Sequence, residues 1–136
     1  MSRVAKGSFQ VRMTPAAEPD AAHGVALGRL TLEKSFDGEL VATSAGTMLT
    51  AMTPVQGSAV YVAIERVTGA LDGREGSFVM HHSGVMARGA QSLAIAIVPD
   101  SGTGQLAGIA GTMRIVIENK QHFYELEYAL GAAGAS

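Results

Sequence analysis

The sequence predicts an all-β protein, a closed eight-stranded antiparallel up-and-down barrel. About eight runs of alternating apolar and polar residues follow one another, and short turns rich in glycine, aspartate and asparagine join them. No window shows a sustained helical period with helix caps. Glycine and alanine recur along the strands, where they permit the tilt and bending that closure of a barrel requires. A two-sheet β-sandwich is the alternative architecture.

Length and composition restrict the possible functions. The chain has 136 residues, so residues 1–136 are expected to form a single domain, with 130–136 as a frayed tail. A net charge of −2 gives no electrostatic basis for a nucleic-acid partner, and the absence of cysteine excludes disulfides and thiolate metal sites. There is no signal-peptide core and no apolar run near the ~20 residues that span a bilayer, so we expect a cytoplasmic protein without a membrane partner.

The first half of the chain predicts three strands. Residues 6–13 alternate as the first strand, which ends before Pro15 because proline cannot donate to a ladder. After a loop, residues 25–36 and 40–52 form a hairpin that turns at Asp37-Gly38.

Two arrangements of this 25–52 hairpin stay open. A turn at Asp37-Gly38 places the apolar Leu32 on the same face as Thr43, whereas a slip of one residue exchanges the faces of one strand relative to the other. The sequence therefore does not decide which face of the 25–52 hairpin points inward.

The second half of the chain predicts five more strands. Two form a central hairpin over residues 61–86, and the others cover 91–98, 106–118 and 121–130. The loop 99–105 contains Asp-Ser-Gly-Thr-Gly, a match to the aspartic-protease hallmark. It occurs once in a chain too short for a two-lobed protease, so we interpret it as a turn.

The central hairpin carries the candidate catalytic residues. A turn at Asp72-Gly73 pairs Glu65 with Met80 and sets His82 on the same face. A carboxylate on an apolar wall is costly to bury unless it is paired, and burial is expected to raise its pKa into the range of a general acid or base. Glu65 would then be the acid or base, and His82 would orient it or a water.

Two alternatives to this site stay open. Glu65 could be a satisfied core carboxylate without a catalytic role. The opposite face of the hairpin is also apolar, with Arg66 and His81 as its polar members, and it could point inward instead.

Further side chains of the same interior are candidate ligand-binding residues. They are aromatic or thioether groups from the central hairpin and the last one, which turns at Asn119-Lys120. We expect no cofactor, and no metal, because adjacent strand histidines such as His81 and His82 point to opposite faces and cannot converge on one ion. The candidates are Tyr61, Phe78, Met80, Met113, His122, Tyr124 and Tyr128.

Several segments resemble a bacterial family of unknown function, DUF3224-like, which is grouped with the allene oxide cyclase-like barrels. The segments are YVAIER from Tyr61, LDGREGSF from Leu71, HSGVM from His82, VPDSGTGQLAG from Val98 and HFYELEY from His122. The resemblance implies a closed eight-stranded barrel with an internal cavity, often oligomeric. It implies no activity, and no motif carries the site of an allene oxide cyclase onto this chain.

Together these features predict a small-molecule-binding barrel. An enzyme of this kind would run a cofactor-free cyclisation or isomerisation of an apolar, oxygenated substrate, in a cavity that excludes water. The alternatives are a non-catalytic ligand carrier or sensor, and a structural oligomeric module with a filled interior. A small apolar ligand and a homo-oligomeric state are the expected partners.

Overall fold

The computed structural model describes residues 2–131, which form antiparallel strands and almost no helix. Most of the predicted frayed tail, residues 132–136, lies outside the described residues. The elements are β1 (Arg3–Pro15), a 3₁₀ helix (Ala22–Gly24), β2 (Ala26–Gly38), β3 (Leu40–Met52), β4 (Ala59–Leu71), β5 (Arg74–Ala87), β6 (Ala90–Ile97), β7 (Thr103–Gly104), β8 (Ile109–Glu118) and β9 (Gln121–Leu130).

The sheet closes on itself, so the predicted closed eight-stranded barrel is confirmed and the β-sandwich is excluded. The strands run in the order β4-β3-β2-β1-β9-β8-β6-β5, and β4 also pairs with β5 to complete the ring. The two-residue β7 only adds a short pairing to β5. Every neighbouring pair is antiparallel, and the long strands follow the chain order of an up-and-down barrel.

Two of the hairpins with two-residue turns, β4–β5 and β8–β9, have the predicted register. Glu65 pairs with Met80 around a turn in which Asp72 and Gly73 both have positive φ, as a type I′ turn requires. The last hairpin turns at Asn119-Lys120, again with both φ values positive. Local turn chemistry was sufficient to set the faces of these four strands.

The structure decides between the two arrangements that the sequence left open for the β2–β3 hairpin. A turn at Asp37-Gly38 would have set Leu32 opposite Thr43, but Leu32 pairs with Gly46 instead. The connection between the strands is longer than a two-residue turn at Asp37-Gly38. The chain turns at Gly38, which has a φ of +105°, and Glu39 lies between the end of β2 and the start of β3. The faces are therefore exchanged for β3, and inward positions alternate from Leu40 to Met52.

Distant contacts hold this wider connection in place. The hydroxyl of Tyr124 donates to the carbonyl of Asp37 at 2.8 Å and accepts the N–H of Leu40 at 2.9 Å. The side chain of Glu39 accepts the N–H of Lys6 at 2.8 Å. Because Tyr124 is 84 residues from Leu40, no local rule could have located the turn.

One end of the barrel is closed by apolar side chains. Leu40 and Leu71 lie at the hairpin connections of this end, and Leu106, which follows β7, packs with them into the core cluster. The segment that carries Leu106 is tied to β5, since Ser101 Oγ accepts the N–H of Val79 at 3.0 Å. The Asp-Ser-Gly-Thr-Gly segment is thus part of a structural tether, and the short β7 within it was not predicted.

The opposite end is less complete. β6 pairs with β8 through Ile95–Met113 and Ala96–Thr112, so the ladder between these strands covers only the half near the closed end. Inward-facing Leu93 on β6 is consequently 47% exposed, and Ile117 on β8 is 63% exposed. The barrel wall is therefore weakest between β6 and β8 at the open end.

The outer wall of β4 carries exposed apolar side chains. Val60, Val62 and Ile64 alternate with the inward residues and face solvent. Arg66 and His81 share this outer surface, so the second inward face considered for the central hairpin is excluded. In the described part of the chain, no helix is long and apolar enough to cross a membrane.

Candidate functional site

The open end of the barrel contains a cavity of about 450 Å³. Four of the seven methionines of the chain line it: Met13, Met48, Met52 and Met86. Methionine is unbranched and polarizable, so such a surface can adapt to ligands of irregular shape. No residue that lines the cavity carries a charge.

Small side chains create this space. Ala59 at the start of β4 pairs with both Met52 and Met86, so little side chain fills the gap between the two methionines. Gly84 lies beneath the ring of Tyr61, and a Cβ on Gly84 would collide with that ring. The glycine therefore allows Tyr61 to lie flat along the wall of the cavity.

Below the cavity, a layer of buried polar residues crosses the barrel. Glu65 is fully buried, and its Oε2 accepts a hydrogen bond from Lys34 Nζ at 2.9 Å. Nε2 of His82 lies 2.7 Å from the same oxygen, although its N–H is not directed at that oxygen. Glu65 and His82 thus both point inward, as the sequence hypothesis required, and Lys34 joins them.

Lys34 changes the electrostatics expected for Glu65. Burial by itself would raise the pKa of this carboxyl, but the polar contact of His82 and the positive charge of Lys34 outweigh it and lower the pKa below its ordinary value. The expected upward shift is therefore wrong. Glu65 is an ionised partner in a salt bridge rather than a carboxylic acid held near neutrality.

Sequence reasoning missed Lys34, although a signal was present. Leu30, Leu32 and Phe36 alternate as inward residues, and Lys34 occupies the intervening inward position. Its ammonium lies 5.2 Å from the ring centroid of Phe9 and 5.9 Å from that of Phe36, which is cation–π geometry.

Two buried oxygens of the polar layer have no hydrogen-bond partner among the described residues. They are Oε1 of Glu65 and Oγ of Ser44, which pairs in register with Lys34. Gly46 leaves the room that Glu65 occupies, since a Cβ there would lie 2.8 Å from the Cβ of Glu65. The layer thus retains unused hydrogen-bonding capacity beside an ionised carboxylate.

The three tyrosines differ in what their hydroxyls contact. Tyr124 is tied to the β2–β3 connection, and Tyr128 donates to the carboxylate of Asp72. The hydroxyl of Tyr61 makes no hydrogen bond within residues 2–131, and Tyr61 is the tyrosine that lines the cavity. Burial, and secondarily the charge of Glu65, raises the pKa of Tyr61, so its phenol retains its proton. Its ring centroid lies 6.4 Å from that of His82.

The other predicted ligand-binding residues lie elsewhere in the interior. His122 is half-buried against the ring of Phe9, with 5.2 Å between the centroids. The packed core cluster contains the remaining five, which are Phe78, Met80, Met113, Tyr124 and Tyr128. Of the predicted set, only Tyr61 lines the cavity. No group of three or more acidic or histidine residues in the described chain could hold a metal ion.

Comparison with known proteins places this geometry in a family. The model of a protein family of unknown function, DUF3224, matches residues 5–128. The chain belongs to the DUF3224 family. It is similar to a crystal structure of a DUF3224 protein of unknown function from Shewanella oneidensis, with 50% identity and a TM-score of 0.92 over 96% of this chain and 98% of that chain. A comparison with curated proteins found no match.

Proposed function

We propose that this DUF3224 protein binds a small apolar molecule in the methionine-lined cavity at the open end of the barrel. The observation that carries the proposal is the cavity itself, about 450 Å³ in volume and lined by uncharged side chains. Ligand pockets typically measure roughly 300–1,000 Å³ and combine apolar walls with a few polar groups. Tyr61, Thr50 and Gln91 are such groups here.

The contrast with the other end of the barrel supports this assignment. There Leu40, Leu71 and Leu106 are almost completely buried and fill the interior. At the open end, inward positions are occupied by flexible or small residues, and Met52 is 61% exposed. Apolar side chains that face inward and remain accessible are stabilised when a ligand removes them from water.

A titration with the uncharged fluorescent probe N-phenyl-1-naphthylamine tests the proposal. We expect saturable binding to the wild-type protein. Ala59→Trp fills the cavity between Met52 and Met86 and should weaken probe affinity at least about tenfold. Ala110→Trp is the matched control, because Ala110 is exposed on β8, away from the cavity. Thermal unfolding confirms that each variant is folded.

Two results would contradict the proposal. One is a wild-type protein that does not bind the probe saturably, and the other is equal affinity in the wild type and a folded Ala59→Trp. If Ala59→Trp does not fold, Thr50→Phe obstructs the same cavity from β3 and is judged by the same criterion.

A cofactor-free cyclase or isomerase, as in the allene oxide cyclase-like barrels, is a second candidate. The contact between His82 and Glu65 favours it, because it forms an imidazole–carboxylate pair whose imidazole ring centroid is 6.4 Å from that of Tyr61. The lowered pKa of Glu65 makes this carboxylate a weak base. Incubation with long-chain epoxides, followed by chromatography for isomers of unchanged mass, tests this activity. Turnover that persists in His82→Gln would exclude the assignment to this pair.

A further inference from the structure

We propose that Tyr61 is the recognition group of the cavity and that the ligand is an uncharged lipophile with a hydroxyl or carbonyl oxygen, which accepts a hydrogen bond from the tyrosine. This inference rests on the proposed function, since it names the ligand class of the same cavity. It depends on the hydrogen bonding of the three tyrosines and on the charges around the cavity.

In the described part of the chain, Tyr61 is the one of the three tyrosines whose hydroxyl remains free to donate a hydrogen bond to a ligand. The hydroxyls of Tyr124 and Tyr128 are used by the protein, at the Asp37–Leu40 connection and at Asp72 respectively. The hydroxyl of Tyr61 makes no hydrogen bond to any residue of 2–131. The ring of Tyr61 lies along the cavity wall, because Gly84 has no side chain that would collide with it. A positioned and unused donor in an apolar cavity gives orientation to a ligand with one acceptor.

The charges around Tyr61 disfavour an anionic ligand. No lysine, arginine or histidine lines the cavity. The nearby cation, Lys34, is already bound to Glu65 at 2.9 Å, beneath the cavity floor. A carboxylate that approached Tyr61 would lose hydration without gaining a counter-charge, and it would also approach the ionised Glu65. An alcohol or ketone meets neither penalty.

A cationic head group is disfavoured by the same arrangement. Glu65 is fully buried, and Lys34 and His82 both contact its Oε2. Its second oxygen lies in the polar layer beneath the cavity and does not line it. The cavity therefore presents neutral walls to its ligand, and its polar groups, which include the hydroxyl of Tyr61, are uncharged.

Competition between two ten-carbon ligands tests the inference. Decanol and decanoate are each titrated against N-phenyl-1-naphthylamine bound to the wild-type protein at about pH 8, where decanoate is ionised. Both ligands are kept below the concentrations at which they form micelles. Decanol should have an apparent Kd at least about tenfold lower than decanoate. Tyr61→Phe should weaken decanol binding about three- to tenfold, because only the hydroxyl is removed. Tyr128→Phe removes a hydroxyl outside the cavity and should not change decanol affinity.

Each outcome supports or overturns one statement. Decanoate that binds as well as decanol, or Tyr61→Phe that binds decanol like the wild type, overturns the inference while saturable probe binding leaves the proposed function intact. Failure of the probe and of both ligands to bind the folded wild type overturns the proposed function itself. Both Phe variants keep their rings, and thermal unfolding verifies that they fold.

Discussion

The two halves of the barrel interior use the same strands and opposite packing strategies. Near the closed end, large side chains interdigitate, and Phe36, Phe78 and Leu71 are each at most 1% exposed. Near the open end, the same alternation places methionine, threonine, alanine and glycine inward and leaves the cavity. Lys34, Glu65 and His82 form the boundary. An inward-facing side chain is therefore not always part of the core. Whether it is packed depends on its size and on whether other apolar side chains close that end of the barrel.

The boundary layer should give the largest change in stability. Lys34→Met removes one partner of a buried salt bridge and leaves the carboxylate of Glu65 in an apolar interior. We expect the free energy of unfolding to fall by about 3–5 kcal/mol, measured by urea denaturation. Combining it with Glu65→Gln removes the uncompensated charge and should recover more than half of the loss. If Lys34→Met alone lowered the free energy of unfolding by less than about 1 kcal/mol, the salt bridge between Lys34 and Glu65 would not form the boundary between the two halves.

Methionines in the two halves should respond differently to truncation. Met80→Ala creates a cavity in the packed core, where Met80 is fully buried, and should cost about 2–5 kcal/mol. Met52→Ala removes an accessible side chain at the open end and should cost below about 1 kcal/mol. The two free energies of unfolding, measured under identical conditions, sharpen the comparison. Equal losses would mean that the open end is packed like the core.

The tyrosine hydroxyls should repeat this contrast on a smaller scale. Tyr128→Phe removes a hydrogen bond to the carboxylate of Asp72, and we expect a loss of about 1.5–3 kcal/mol in unfolding free energy. Tyr61→Phe removes a hydroxyl without a partner in residues 2–131 and should leave stability within about 0.5 kcal/mol of the wild type. A destabilising Tyr61→Phe would indicate a structural role for that hydroxyl.

The pH dependence of stability should report the salt bridge of Glu65. Its folded pKa lies below the ordinary value of 4.5, so the unfolded state binds the proton first as pH falls. The contribution of this group is complete above about pH 4.5 and is lost as pH falls through the folded pKa. Urea denaturation across this range should show a shallower acid loss for Glu65→Gln than for the wild type. Identical slopes would contradict the lowered pKa.

The sequence predicted those parts of the fold that local chemistry determines. Asp72-Gly73 and Asn119-Lys120 favour tight turns, so the pairing of Glu65 with Met80 and the position of the last turn followed directly. The β2–β3 register did not follow, because the hydroxyl of Tyr124 sets it from a distant strand.

The same limits apply to the candidate site. Glu65 and His82 were found because their hairpin has a predictable register, whereas Lys34 belongs to the hairpin whose faces stayed open. Inward-facing methionines occur both in cores and in cavities, so the sequence does not distinguish Met80, which lies in the core, from Met48, which lines the cavity. Leu106 packs into the core cluster and helps to fill one end of the barrel. The turn-rich loop sequence before it does not indicate that Leu106 is buried there.

Resonances of isotope-labelled methionine methyl groups test the contrast between the two halves most directly. The methyl resonances of the four cavity methionines should shift saturably when decanol is titrated into the protein. The methyl resonances of Met80 and Met113, which lie in the core, should keep their chemical shifts. Single Met→Leu variants assign each signal. Saturable shifts confined to Met13, Met48, Met52 and Met86 are the predicted result. Signals that do not move, or a larger response of Met80 and Met113, would contradict a ligand site at the open end.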